Sequence, residues 1–316
     1  MQTESTLFLD PPMADRILRL LPGQVATTSE PENRMCWTQE HIKWFADTGE
    51  RLKTADGREV NVWEFRHGKD EAVLSAWAKH FRNHYCLDAE IDFLRGGRTR
   101  SSYLKSIKFP SKTSKLGPGI RAGDFGEILV ADYLEWLLDL WVPRVRWSSK
   151  AVRDESPKGS DVIGFGLTKK DGKASTKDVL SVFESKTQFS ASRANRLQDA
   201  INGSAKDHIR IDESLNFIKQ KLFERGNTEQ AKKVERFQSP VDMPYREEYG
   251  AAVIVSDEFF NAELLASADC NKIPASPKSG EFSPHPHGEK LVLLVIKGPE
   301  MMDLVHELYR RAADEA

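Results

Sequence analysis

The sequence predicts an α/β protein built in layers, and three observations carry that prediction. Residues 251–256 (AAVIVS) and 291–297 (LVLLVIK) are short unbroken apolar runs, the pattern of strands covered on both faces. Each precedes a segment of helical periodicity. Between helical stretches at 125–141 and 191–210 stand three strand-like runs, so from residue 124 the order is helix, three strands, helix, strand.

The first apolar segment, 13–21, is a short helix candidate stopped by Pro22-Gly23. Residues 54–58 (TADGR) signal a turn, and Val60, Val62 and Phe65 follow with strand-like alternation. A helix over 70–85 is predicted because Val73, Leu74, Trp77, Ala78, Phe81 and Tyr85 fall on one side. A basic stretch follows, broken by Pro110 and Pro118-Gly119, and a domain boundary is placed within 110–122. That gives an N-terminal α+β region over 1–115 and a second domain over 116–316. Asp124 is expected to cap a helix running to Trp141, before Pro143. Residues 145–148 read as a short strand. Residues 161–167 (DVIGFGL) and 179–188 (VLSVFESKTQ) read as two more, joined by the polar turn 169–173 (KKDGK). Helices are expected over 191–210 and 213–225, and no internal repeat is present.

Composition narrows the class. Charged residues are 30% and hydrophobic residues 39% of the 316, with 7 Trp and 16 Phe, which is too aromatic for a disordered chain. Net charge is −2, so bulk charge does not announce a polyanionic partner. One local pattern does: Arg95, Arg98, Arg100, Lys105, Lys108, Lys112, Lys115 and Arg121 fall in a stretch without Asp or Glu. Its plainer reading is a solvated loop. Cys36, Cys86 and Cys270 are odd in number and widely spaced, which points to a reducing cytoplasm rather than disulfides or a zinc site. The N-terminus lacks the basic start and apolar run of a signal peptide, and no run approaches the roughly 20 apolar residues of a membrane helix.

The chemistry concentrates on 179–188. Alternation along a strand puts Leu180, Val182, Glu184, Lys186 and Gln188 on one face. Charges on an otherwise buried strand are costly unless paired or bound to metal. Alone, Glu184-x-Lys186 is more simply a surface pair. Asp161 changes this, because a hairpin between the two strands brings it beside Glu184. Two carboxylates then hold Mg²⁺, and the ammonium positions water and offsets charge at a phosphate. Asp171-Gly172-Lys173 also fits D-x-K but lies in a polar turn that nothing holds rigid. Glu127 shares a stripe with Ala131, Leu134 and Leu138 and is the inward-leaning acid of its helix; its plainer role is to favour the helix N-terminus. Asp132, Glu135 and Asp139 fall on the side expected to face water. Arg193, Arg196 and Lys206 are candidate phosphate contacts, though a basic helix face is usually just solvated.

These residues resemble the PD-(D/E)XK nuclease superfamily. The matching pieces are Gly126-Glu127 on a helix, Ser160-Asp161 at a strand and Glu184-Ser185-Lys186 on the next strand, followed by a helix. The resemblance implies a restriction-endonuclease-like αβββαβ core and Mg²⁺-dependent phosphodiester hydrolysis, with Mn²⁺ an acceptable substitute. It implies Glu127, Asp161 and Glu184 as metal ligands, Lys186 acting on the attacking water, and Gln188 in support. Ser160 departs from the proline of the motif's name. A narrower resemblance spans about 70–220: residues 81–94 (FRNHYCLDAEIDFL), 107–110 (IKFP), 119–133 (GIRAGDFGEILVADY) and 158–165 (KGSDVIGF) are similar to the HamA nuclease subunits of bacterial Hachiman anti-phage systems. That likeness implies DNA as substrate and a superfamily 2 helicase partner that restrains the nuclease. The chain has no GxxxxGK(S/T) of its own. Two alternatives stand beside this reading: a catalytically silent DNA-binding or helicase-regulating subunit, and a stand-alone restriction or repair nuclease.

Other motifs weigh little. His80 and His84 have i, i+4 spacing with His67 nearby, but no third ligand is evident. Arg16, Arg19, His285 and His287 read as solvated, Cys86 as a packed thiol, and Gly164 and Gly166 as marks of close approach.

Overall fold

The structure, a computed structural model, describes residues 39–168, 173–275 and 280–316. The helix expected at 13–21, Cys36, and most of the 169–173 turn with its D-x-K lie outside the described residues.

Strands β1 (Phe45–Lys53) and β2 (Glu59–Phe65) form a hairpin around the expected turn, with Gly57 at positive φ. Helix α1 (Glu71–Tyr85) is capped by Asp70, whose side chain accepts from the Val73 amide, and it buries the predicted stripe. Short helices α2 (Asp88–Leu94) and α3 (Arg100–Tyr103) lead to the long helix α4 (Gly117–Asp132), which runs on through a π turn at Tyr133–Leu137. Strands β3 (Val162–Gly166) and β4 (Val179–Gln188) follow, then helices α5 (Arg196–Ser204), α6 (Asp207–Glu224) and α7 (Thr228–Glu235). Strand β5 (Arg246–Ser256), helix α8 (Ala262–Ala266), the small pair β6 (Ile273–Pro274) and β7 (Phe282–Ser283), strand β8 (Leu291–Gly298) and helix α9 (Met301–Asp314) complete the chain.

Six strands form one mixed sheet in the order β1-β2-β8-β5-β4-β3. The outer pairs are antiparallel; β4, β5, β8 and β2 run parallel. One face packs Trp63, Phe65, Phe183, Ile254 and Leu294 against α1, α4 and α9. The other packs Val62, Val253 and Val295 against α5, and Leu180 and Val182 against α6 and α7. Helices on both faces explain why β5 and β8 read as unbroken apolar runs. This is the α/β layering the sequence predicts. Of the N-terminal region drawn at 1–115, residues 45–65 supply two strands to this same sheet.

Several local expectations are corrected. Asp124 does not cap a helix: α4 begins seven residues earlier, and Asp124 lies buried within it. The Pro118-Gly119 pair is its first turn, where a missing N–H costs nothing. Residues 145–148 are not a strand. Trp147–Ser149 is a 3-10 turn, and beside β3 there is instead a two-bond bridge from Trp141, a residue expected to end the helix, to Phe165. Asp132 and Glu135, expected toward water, are buried, because Arg144 and two histidines satisfy them; Asp139 is exposed. The helix expected over 191–210 is two helices, α5 and the start of α6.

Candidate active site

Register fixes the first contact. Val162 pairs with Phe183, so Asp161, just before β3, stands beside Glu184 of β4. The Ser185 amide donates to Asp161 Oδ2 at 3.1 Å, locking the two segments together. Helix α4 crosses the same strand closely because residue 126 is glycine: a Cβ there would lie 2.5 Å from Thr187 Cγ2. That contact sets Glu127 one residue on. On the opposite face of β4, Gly203 of α5 leaves room for the Glu184 carboxylate, which a Cβ would approach to 2.4 Å.

The structure thus gathers all four predicted residues at one place, but not identically. Glu127, Asp161, Lys186 and Gln188 line a cleft of about 650 Å³. Glu184 is not among its lining residues; it forms an ion pair with Lys186 and packs over Gly203. Of the predicted phosphate contacts, Arg196 lines the cleft. Arg193 and Lys206 are exposed elsewhere.

Sequence reasoning missed the residue that ties the site together. Arg146, almost fully buried, donates from Nε to Glu127 Oε2 at 3.0 Å and from a terminal nitrogen to Asp161 Oδ1 at 2.9 Å. Its remaining donors reach the carbonyls of Pro157, Lys158 and Ser160, which fixes the loop entering β3. Trp147 Nε1 adds a bond to Glu127 Oε2 at 3.1 Å. One turn before Glu127, Asp124 accepts from Lys150 at 2.7 Å and from the Tyr85 hydroxyl at 2.6 Å. Asp207, at the start of α6, is buried beside Ser160 and pairs with Arg210. The i, i+3 spacing of Asp124 and Glu127 was a usable signal; Arg146, Lys150 and Asp207 had none.

The carboxylates are crowded. Burial pushes Glu127 up to about 8; the neighbouring Asp161 and Asp124 add to this and Arg146 opposes it. Burial and Asp161 push Glu184 up to about 7 against Lys186, and Asp207 to about 6. Burial works against the Lys186 ammonium, but Glu184 and Asp161 outweigh it and hold its pKa above the usual lysine range. Among the described residues, Glu127 Oε1 and Glu184 Oε2 accept no hydrogen bond, and the Ser185 hydroxyl is buried without a partner. Oxygen donors with spare capacity and raised basicity are what a hard divalent cation requires. The residues fit Mg²⁺.

Three other sites can be set apart. His80 joins His41 on the Asp132 carboxylate (3.1 and 2.8 Å), while His84 bonds Arg144; His67 lies apart on the Pro299 carbonyl. His41, His80 and Asp132 have metal-ligand types within reach of one another, but the Arg144 guanidinium already lies 2.6 Å from that carboxylate, a positive charge where a bound ion would sit. His285 is buried, not solvated. Cys86 is buried and burial pushes its thiol up to about 11, the inert packed thiol expected.

A mixed six-stranded sheet with helices on both faces, carrying a cleft with Asp124, Glu127 and Asp161 in its lining, defines an α/β fold consistent with a nuclease-like architecture. The chain belongs to the HamA family, whose model matches residues 40–312, nearly its whole length. It is therefore a Hachiman-associated antiviral defence protein. No curated protein sequence matches it. Among the described residues no helix is long and apolar enough to cross a membrane.

Proposed function

We propose that this chain is a Mg²⁺-dependent DNA nuclease, the effector of its defence system, restrained by a superfamily 2 helicase partner. The supporting observation is the convergence of Glu127, Asp161 and Lys186 on one cleft, with Glu184 behind it in ion pair with Lys186, and with the Glu127 and Glu184 carboxyls both pushed up by burial. If all are ionised, Asp124, Glu127, Asp161 and Glu184 pair, among the described residues, with Arg146, Lys150 and Lys186, and the neighbouring Asp207 is offset by Arg210. The single negative charge left over is what one divalent cation and one phosphodiester anion together cancel.

Glu127, Asp161 and Glu184 would hold Mg²⁺, which supplies Lewis acidity at the scissile phosphate when bound. Lys186 reaches the cleft with an ammonium that stays charged, able to orient the attacking water and offset charge developing on the phosphate oxygens. Arg146 keeps Glu127 and Asp161 in register, so little rearrangement is needed on loading. The test is incubation of the full chain with supercoiled plasmid and linear DNA, with Mg²⁺ or EDTA, beside Glu184→Ala/Lys186→Ala. Mg²⁺-dependent nicking lost in the variant is the expected result; equal activity in both sinks the assignment.

One observation favours a second reading. Glu184 turns toward Lys186 and Gly203 rather than the cleft, as in a silent subunit that binds DNA or regulates the helicase. Persistent inactivity of the chain together with its helicase partner would favour that reading.

A further inference from the structure

We infer that residues 111–116 and the N-terminus of α4 form a phosphate-binding subsite, which seats the backbone of a nucleic-acid strand a few nucleotides from the candidate centre. The inference rests on the nuclease reading only for the identity of the polyanion. Pro118, Gly119 and Ile120 line the same cleft as Glu127, Asp161 and Lys186, so the start of the 16-residue helix α4 opens onto it. That first turn holds no acid; Ser114 Oγ takes the Gly117 amide and Pro118 has none, which leaves the Gly119 amide, and a Cβ at Gly119 would meet nothing within 4 Å. A backbone anion can therefore approach the positive end of the helix directly.

The loop before the helix adds free charge. Of the eight basic residues between Arg95 and Arg121, Arg95 and Arg100 pair with Asp92, and Lys105 with Asp314. Arg121 is buried against the Pro110 carbonyl and the Tyr309 ring. Lys112 and Lys115 are exposed and, among the described residues, have no carboxylate partner. Their loop is held in shape: the Ser111 amide and Ser114 hydroxyl donate to Asp154 at 2.6 and 3.0 Å, and the Gly117 amide donates to Ser114 Oγ at 3.0 Å.

Independent signs of a missing ligand lie in the cleft itself. Gln188 is only 7% exposed, lines the cleft and, among the described residues, makes no side-chain hydrogen bond. Across from it Arg196 bonds Asp199 through one nitrogen while its Nε is buried without a partner. Buried polar groups normally have partners, so two unpartnered ones lining a single cleft are groups that a polar ligand would complete. The ligand is extended rather than a single phosphate. Eight residues of helix separate Gly119 from Glu127, about 12 Å at 1.5 Å each; one duplex strand carries three to four phosphates over that length, at about 3.4 Å of axis apiece. His306 is shared with a second groove of about 860 Å³, lined by Lys105, Lys112 and Arg153 as well as Asp303 and Glu307, so the track continues outward.

The experiment is fluorescence anisotropy of the full chain with a labelled 20-base-pair duplex in EDTA, titrated with salt. Wild type is compared with Lys112→Gln/Lys115→Gln, Lys112→Glu/Lys115→Glu, Gly119→Glu, and a distant control, Lys232→Glu/Lys233→Glu. Loss of two phosphate contacts lowers the slope of log K against log salt by about 2, and binding weakens roughly tenfold or more. The Gln pair falls between wild type and the Glu pair, Gly119→Glu weakens binding like the Glu pair, and the control matches wild type. With Mg²⁺ the loop variants raise KM and leave kcat within about twofold, a split that misfolding does not produce. Unchanged affinity and slope in the loop variants, or no binding by wild type, overturns the subsite. Binding that the loop variants lose, without any cleavage by the chain or its helicase complex, upholds the subsite and removes the nuclease reading; cleavage indifferent to the loop does the reverse.

Discussion

Neutralising Glu184 is expected to make the metal-free protein more stable while abolishing its chemistry. Glu184→Gln keeps the shape and removes one charge. Burial and Asp161 push the folded carboxyl from 4.5 up to about 7. A folded pKa raised above the unfolded value means the native state binds the proton more tightly, so stability falls as pH rises from about 4.5 through 7 and levels off beyond. At pH 8 the difference of 2.5 units costs about 3 kcal/mol as a ceiling. The ion pair with Lys186 is already contained in that shift, so nothing further is subtracted for it; relaxation and water penetration at the site bring the ceiling down to a working figure of about 2 kcal/mol. That gain at pH 8 is a rise in Tm of roughly 4 °C for a chain of this size. At pH 5 the cost in wild type shrinks below about 1 kcal/mol and the advantage nearly vanishes. The assay is thermal unfolding at pH 5 and 8, with and without Mg²⁺. At 100 times its Kd the cation stabilises wild type by about 2.7 kcal/mol, and it gives the variant less. A variant no more stable than wild type at pH 8, or a difference that ignores pH, refutes the reasoning.

The other expectations concern what holds the site. Arg146→Met leaves Glu127 and Asp161 uncompensated and should cost about 3–5 kcal/mol in urea unfolding at pH 8; a loss under about 1 kcal/mol would show that the guanidinium is not the anchor. Asp132→Asn strips the common partner of His41, His80 and Arg144 and should lower stability by a similar amount without altering the Mg²⁺ dependence of any activity. Gly126→Val forces α4 away from Thr187, costing about 1–3 kcal/mol, and its activity at saturating DNA should fall further than its stability; an unimpaired kcat would mean the helix need not sit so close.

Legibility followed the kind of signal each element carried. β4, β5 and β8 were readable because helices cover both faces, so apolar runs of strand length had one sensible interpretation. Glu184-x-Lys186 was readable because alternation along a strand is rigid, and Asp161 because a hairpin register places it. The start of α4 was misread because Pro-Gly serves both as a breaker and as a first turn, and only the packing of Gly126 on β4 decides. Arg146 and Lys150 were invisible: the loop carrying them has no periodicity, and its shape comes from the charges it meets. Asp132 and Glu135 went wrong for a related reason. A pattern reading puts acids toward water and cannot anticipate Arg144, which lies beyond the end of the helix.

Helix α4 therefore carries two buried acid sites whose contrast separates structure from function. At its C-terminal end Asp132 is fully buried, yet Arg144, His80 and His41 outweigh burial and hold its pKa well below the usual carboxylate range. Arg144 is shared there with Glu135, but two histidines also bond Asp132, and the carboxylate is sealed from solvent. Five residues earlier Glu127 is about as deeply buried, with Arg146 shared between it and Asp161, and its pKa moves the other way, to about 8. The protein can evidently neutralise an interior acid on this helix, and at Glu127 it does so incompletely, with an uncommitted oxygen next to a cleft. Leaving charge uncompensated destabilises the fold, and on the proposed function the deficit is one that a cation arriving with substrate would remove.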